Sequence, residues 1–300
     1  MALHTDRPRF GTLLTAMVTP FKATGELDLD AARALARKLV DDGCDGLVVT
    51  GTTGETSTLT DEENVEMFKA VVEEVGDRAA VVAGTGTNDT RHSVNLSRMA
   101  KEVGVDGLLL VTPYYNKPSQ AGIQAHFEAI ADAVDLPVML YDIPGRSVKP
   151  IETETIVALA NHPNIVALKD AKGDLMETTK VIARTDLDIY SGEDGLTLPL
   201  LAIGAIGLVS VTAHIAAAQY RTMIDAVANG DLATARKAHA DIDPLQRGIM
   251  SHLQGAVASK TVLQRQGVLP SAHVRLPLVE PTDAELAPVL ADLAEGGLHL

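Results

Sequence analysis

The chain of 300 residues has one cysteine, Cys44, so an internal disulfide is excluded and a reducing compartment is expected. Cys44 stands in Asp41-Asp-Gly-Cys44-Asp-Gly46 just ahead of a predicted strand, a place that suits a small buried apolar side chain. The nine histidines are scattered, with no HxxxH pair and no CxxC, so the ligand spacing of a zinc site is missing and no metal is expected. Basic residues are outnumbered, 25 Lys and Arg against 40 Asp and Glu. The resulting net charge of −15 argues against nucleic acid as a partner, because that needs basic patches to displace counterions. It also means that an anionic substrate must be held by local groups rather than by the global field. No GxxxxGK phosphate loop occurs, and Gly84-Thr-Gly86-Thr-Asn-Asp89 lacks the third glycine of a dinucleotide fingerprint. Met1-Ala-Leu-His-Thr-Asp-Arg-Pro-Arg-Phe10 contains no apolar core of a secretory signal, and a cytoplasmic location is expected.

One stretch, Leu196 to Ala218, is free of charge and long enough to span a bilayer. Pro199, Gly204, Gly207, Ser210, Thr212 and His214 interrupt it, and it divides into a short helix, a strand over Ile206–Val211 and the start of another helix. That is the packed centre of an α/β protein, and no membrane association is expected.

Apolar, β-branched runs recur, each followed by a helix-compatible segment. They are Leu13–Val18, Gly46–Thr50, Ala80–Ala83, Gly107–Val111, Pro137–Tyr141, Ile165–Lys169, Asp188–Ser191 and Ile206–Val211. Asp61–Glu74 reads as a helix behind the N-cap Thr60, with acids in its first turn. Eight such units predict an α/β fold, a (β/α)8 TIM barrel, with an open doubly wound sheet as the alternative. After about residue 230 the strand pattern stops. Asp231–His239, Pro244–Gln266 and Asp283–Leu293 read as helices, giving a catalytic barrel over residues 1–230 and a C-terminal helical domain over 231–300. That tail would pack on the barrel or serve an oligomer contact.

Chemistry in barrels collects at the carboxyl ends of the strands. Lys169 closes the buried run Ile165-Val166-Ala167-Leu168, where an ammonium is costly to desolvate unless it is paired or neutral. A lysine driven towards neutrality is a nucleophile for a carbonyl carbon. The plain alternative is a lysine that reaches past the strand end into solvent. Its neighbours at the other strand ends are Gly51-Thr-Thr-Gly-Glu55, Thr112-Pro-Tyr-Tyr-Asn116, Tyr141-Asp-Ile-Pro-Gly-Arg146, Ser191-Gly-Glu-Asp194 and Val209-Ser210. Each has a structural alternative as turn, cap, core aromatic or solvated loop residue. Their conjunction puts a lysine, tyrosines, paired threonines and an arginine around one mouth.

Gly51-Thr-Thr-Gly-Glu55, Tyr114-Tyr115-Asn116, Tyr141-Asp-Ile-Pro-Gly-Arg146 and Lys169-Asp-Ala together resemble the dihydrodipicolinate synthase family. These are pyruvate-dependent class I aldolases related to N-acetylneuraminate lyase, and the likeness runs from about Thr12 to the C-terminal helices. The resemblance implies a lyase condensing pyruvate with L-aspartate 4-semialdehyde in lysine and diaminopimelate biosynthesis, with no cofactor beyond a covalent lysine–pyruvate Schiff base. It makes Lys169 the Schiff-base lysine and Tyr141, Thr52 and Tyr115 a proton relay, with Tyr115 reaching in from a neighbouring subunit of a homotetramer, a dimer of dimers. Thr52 and Thr53 would hold the pyruvate carboxylate, Arg146 the carboxylate of the second substrate, and Gly192 and Val209 would line the pocket through their backbones. Within the superfamily the rival is a sugar-acid aldolase or N-acetylneuraminate lyase, and Arg146 discriminates against it. A keto-acid sensor and a nucleotide-dependent oxidoreductase are the rivals from other classes. The positions matching the feedback pocket of lysine-inhibited members are Thr56, Ser57, Asp61, Asn64, Asn88, His92 and Tyr114. Those members carry histidines at Asp61 and Asn64 and a glutamate at His92, so weak or absent feedback by lysine is expected.

Overall fold

Alternation along eight short apolar runs builds a closed barrel in the computed structural model, which describes residues 8–300. The reading of Met1–Phe10 as free of a secretory signal therefore falls, for residues 1–7, outside the described residues. The strands are β1 Leu13–Ala16, β2 Gly46–Val49, β3 Ala80–Gly84, β4 Gly107–Val111, β5 Val138–Asp142, β6 Ile165–Asp170, β7 Asp188–Ser191 and β8 Gly207–Ser210. They pair in parallel in chain order, and β1 meets β8 through Leu14 and Val209, so no edge is left. The expected TIM barrel is what forms.

Period two along each strand divides the side chains between two cores. Leu47, Val49, Leu108, Leu110, Leu140 and Leu168 point outwards into the layer shared with the helices. Leu14, Val48, Val82, Leu109, Met139, Tyr141, Ala167, Tyr190 and Val209 point inwards and fill the lumen. At the amino end Phe10 plugs the barrel. A methyl on Gly107 would stand 2.6 Å from its ring, so only glycine leaves room for the plug. The Tyr190 hydroxyl donates to the Gly11 carbonyl at 2.8 Å and completes this floor.

The helices of the barrel are α1 Leu29–Asp41, α2 Asp61–Val75, α3 Thr90–Val103, α4 Gln120–Ala133, the short α5 Pro144–Ser147, α6 Thr153–Leu159, α7 Leu175–Arg184, α8 Thr197–Ile203 and α9 Ala213–Ala228. Thr60 caps α2 in a capping box with Glu63, as the acids of its first turn suggest. The uncharged run Leu196–Ala218 resolves into α8, β8 and the start of α9, and no helix among the described residues is long and apolar enough to cross a membrane. Cys44 is buried against the Thr15 hydroxyl, 3.1 Å away, and burial pushes its thiol up to about 11.

Three further helices follow, α10 Leu232–Met250, α11 Gly255–Arg265 and α12 Asp283–Glu295. The expected break before Pro244 does not occur. Pro244 sits inside α10 and is buried with Leu245, Gly248 and Ile249, and packing of this face compensates the missing backbone donor. A methyl on Gly248 would stand 2.8 Å from Leu293 Cδ2, which shows how closely α10 and α12 approach. The break comes instead after Met250, where the Gln254 side chain accepts from the Ala256 and Val257 N–H groups at the start of α11. Every residue from Gly255 to Leu263 in α11 is buried.

Candidate active site

Strand register places the central pair. Tyr141 on β5 lies beside Lys169 on β6, and both alternate with lumen residues, Met139 and Ala167. The Lys169 ammonium stands 4.2 Å from the centroid of the Tyr141 ring, a cation–π contact at 4% exposure. Burial lowers its pKa to about 8; Asp194 and Glu193 oppose that, and Arg146 adds to it. An amine of this kind is substantially neutral at slightly alkaline pH. Lys172, the other amine on the same loop, faces the opposite side of the sheet, 3.7 Å from Asp142 Oδ2. Burial also raises the Tyr141 phenol and the Glu193 carboxyl above their ordinary values.

Above this pair opens a cavity of about 260 Å3. Thr52, Tyr141 and Arg146, three of the expected residues, line it, together with Thr50, Thr56, Ser57, Tyr114, Ile143 and Ser147. Gly84 and Gly86 form part of the wall because the backbone is too close for a side chain. A methyl on Gly84 would lie 2.5 Å from the Thr50 carbonyl oxygen, and one on Gly86 2.5 Å from Val111 N.

Lys169, Thr53, Gly192 and Val209 are outside the lining. Lys169 lies against Tyr141, which does line the cavity, and Val209 is buried in the lumen. Gly192 makes the gap through which the lysine side chain passes, since a methyl there would stand 2.9 Å from Lys169 Cγ and 3.1 Å from its Cε. Thr53 is buried, whereas its neighbour Thr52 is exposed to the cavity. Tyr115 is not brought to the site within one chain. It is 87% exposed, on a left-handed backbone with φ 72°. Its loop is pinned by Asn116, whose amide donates to the Asn88 carbonyl at 2.8 Å.

Two contributors, Asp194 and Asp142, carried no assigned role in the sequence. Asp194 accepts from the Ser210 hydroxyl and from the Val211 and Thr212 N–H groups, at 3.0 and 3.3 Å, fixing the end of β8. Asp142 accepts from Ile151 N–H at 3.1 Å and so closes the loop that carries Arg146. Strand parity is the available signal, because a residue next to Tyr141 must face outwards. Among the described residues no group of three or more His, Cys, Asp or Glu could hold a metal ion.

This arrangement can capture a carbonyl covalently beneath a cavity that carries a guanidinium and hydroxyls. The 4-hydroxy-tetrahydrodipicolinate synthase of Kineococcus radiotolerans is 56% identical over 289 residues, 96% of this chain and 94% of that one. A dihydrodipicolinate synthase structure from Bacillus anthracis matches with a TM-score of 0.91 at 44% identity, covering 95% of this chain and 98% of that one. One from Cyanidioschyzon merolae, with lysine bound, matches with a TM-score of 0.94 at 40% identity, covering 97% and 99%. The sequence model of the Dihydrodipicolinate synthetase family matches residues 9–295, and the chain belongs to that family.

Proposed function

We propose that the chain condenses pyruvate with L-aspartate 4-semialdehyde to 4-hydroxy-tetrahydrodipicolinate, a step of lysine and diaminopimelate biosynthesis. The observation that carries this reading is the buried amine of Lys169 against the Tyr141 ring, beneath a cavity lined by Thr52 and Arg146. The relatives' name for the reaction agrees with it.

In this reading the neutral Lys169 amine attacks the ketone carbon of pyruvate, and the carbinolamine loses water to give an iminium. Loss of a methyl proton gives an enamine, whose carbon adds to the aldehyde of the semialdehyde. The semialdehyde's own α-amino group then attacks the imine carbon, which closes the ring as a cyclic imine and expels the Lys169 amine. No other cofactor takes part. Tyr141, Thr52 and Tyr115 pass protons to and from the departing water and the methyl carbon, as a chain of hydroxyl groups can when bulk water is excluded. Thr52, Thr53 and the backbone N–H groups of their turn hold the pyruvate carboxylate as an anion nest. Arg146 takes the carboxylate of the semialdehyde, where a planar guanidinium fork fits. Gly192 and Val209 contribute backbone lining.

Tyr115, exposed on its left-handed backbone, completes the relay of a neighbouring subunit, within a homotetramer built as a dimer of dimers. The same reading treats residues 1–230 as the catalytic barrel and 231–300 as a helical domain, in a cytoplasmic enzyme. Borohydride reduction in the presence of pyruvate tests it. The mass of a reduced pyruvyl group should appear on the peptide holding Lys169 and vanish in Lys169→Arg, whereas labelling at Lys172 would sink the mechanism.

A further inference from the structure

Away from the cavity, α11 contains a lysine that reaches no solvent. The Lys260 side chain is 0% exposed and pairs with Glu55, itself 1% exposed. Its ammonium also donates to the His273 carbonyl at 2.9 Å and stands 4.0 Å from the centroid of the Phe21 ring. The second Glu55 oxygen accepts from Arg275 N–H at 3.0 Å. The Arg275 guanidinium rests on the same Phe21 ring at 4.4 Å, grips both oxygens of Glu63 at 2.6 and 2.7 Å, and donates to the carbonyls of Gly25 and Thr58. A buried pair of charges keeps its place only when every lone pair and proton is satisfied, and here both partners have further hydrogen bonds.

What this network holds is a strained piece of chain. Glu55 has φ 56° and Thr50 has φ 51°, so two left-handed non-glycine residues bracket Gly51-Thr52-Thr53-Gly54. Such conformations persist only where the surroundings over-determine them. Gly54 and Gly84 supply part of that constraint, each too close to Thr50 to carry a methyl group. The remainder is at Glu55, whose carboxylate is fastened to α11 through Lys260.

We propose that Glu55, clamped by Lys260 and Arg275 N–H, is a positioning residue that sets the Gly51–Gly54 turn for the carboxylate of pyruvate, which makes α11 part of the substrate-binding apparatus. This rests on the reading of Thr52 and Thr53 as carboxylate holders, and trapping at Lys169 separates the two. Glu55→Gln keeps the shape and removes the charge; Lys260→Met removes the ammonium. In the full chain each should raise the pyruvate concentration for half-maximal borohydride trapping by tenfold or more, on the order of what a ~1 Å misplacement costs. The KM for the semialdehyde should stay within about twofold. Leu263→Ala, a cavity on the same buried helix, should lower the melting temperature and leave half-saturation by pyruvate unchanged.

Half-saturation in Glu55→Gln equal to that of the unaltered protein overturns the inference alone, as does an equal rise in Leu263→Ala. Absence of trapping in the unaltered protein overturns the reading of the site and the inference with it. If Lys260→Met does not fold, the isosteric Glu55→Gln decides.

Discussion

Replacing Gly192 by alanine puts one methyl group against the Lys169 side chain, the proposed Schiff-base amine, and its cost can be worked out in advance. The new carbon would stand 2.9 Å from Lys169 Cγ, 3.1 Å from its Cε and 2.9 Å from Ala171 Cβ. Carbon atoms rest at roughly 3.5–4.0 Å, so the overlap is about half an ångström or more on two sides. Two effects compete. Alanine restricts the unfolded chain and would add about 0.4–1 kcal/mol, because Gly192 is not among the residues with positive φ. Overpacking costs about 1–3 kcal/mol and should win. With ~2–4 °C per kcal/mol in a chain of this class, the melting temperature should fall by several degrees. The larger effect is on chemistry. Lys169 must move, and a displacement near 1 Å is worth on the order of a hundredfold in rate. Single-turnover borohydride trapping at saturating pyruvate, measured beside a thermal melt, gives both quantities. A trapping rate within twofold of the unaltered protein, with an unchanged melt, would refute the assignment of Gly192 as the passage for the lysine side chain.

Trapping should also follow pH with a midpoint near 8, rising towards alkali because only the neutral amine attacks and burial has lowered Lys169 from its ordinary value near 10.5; a midpoint at or above 10 would contradict the burial argument. Arg146→Ala should leave trapping by pyruvate nearly intact while kcat/KM for the semialdehyde falls by about 2 kcal/mol, or thirtyfold, the usual scale for a lost charged partner; equal losses in both half-reactions would make Arg146 structural. L-lysine at sub-millimolar concentration should not halve the initial rate. The Asp61 carboxylate, a candidate substitute for the missing glutamate, is already engaged by His92 at 2.7 Å, and a lost charge-assisted bond removes roughly one or two decades of affinity. Half-inhibition in that range would show that Asp61 is free to bind the ammonium.

Strand parity explains why much of the site was legible. Tyr141 and Lys169 each stand two residues beyond a lumen residue, so their direction follows from alternation once the strands are recognised. The TIM barrel follows from the same eight runs. The turn after β2 was harder. Thr52 and Thr53 look equivalent in sequence, but only a left-handed backbone at Thr50 and Glu55 sends one to the cavity and the other into the interior. Lys260 was not legible at all. It stands in Ala258-Ser259-Lys260-Thr261, where a charged side chain flanked by two hydroxyls carries no local sign of burial, and only long-range packing buries it. Pro244 misled for the complementary reason. A local rule favoured a break, and burial of one face of α10 outweighed it.

The side chains that fill the lumen, with the aromatic plug at its amino end, give the cavity above Tyr141 a solid floor. Phe10 and the Tyr190 hydroxyl close the far side, so in the proposed reaction the substrates, the expelled water and the cyclic product would all pass the carboxyl-end mouth. If Arg146 holds the semialdehyde as proposed, a molecule bound there before pyruvate has reached Lys169 blocks the mouth, and excess of that substrate should slow turnover in a way that more pyruvate relieves. Traffic through that mouth, in addition to affinity, would order the encounter of two acids with one amine.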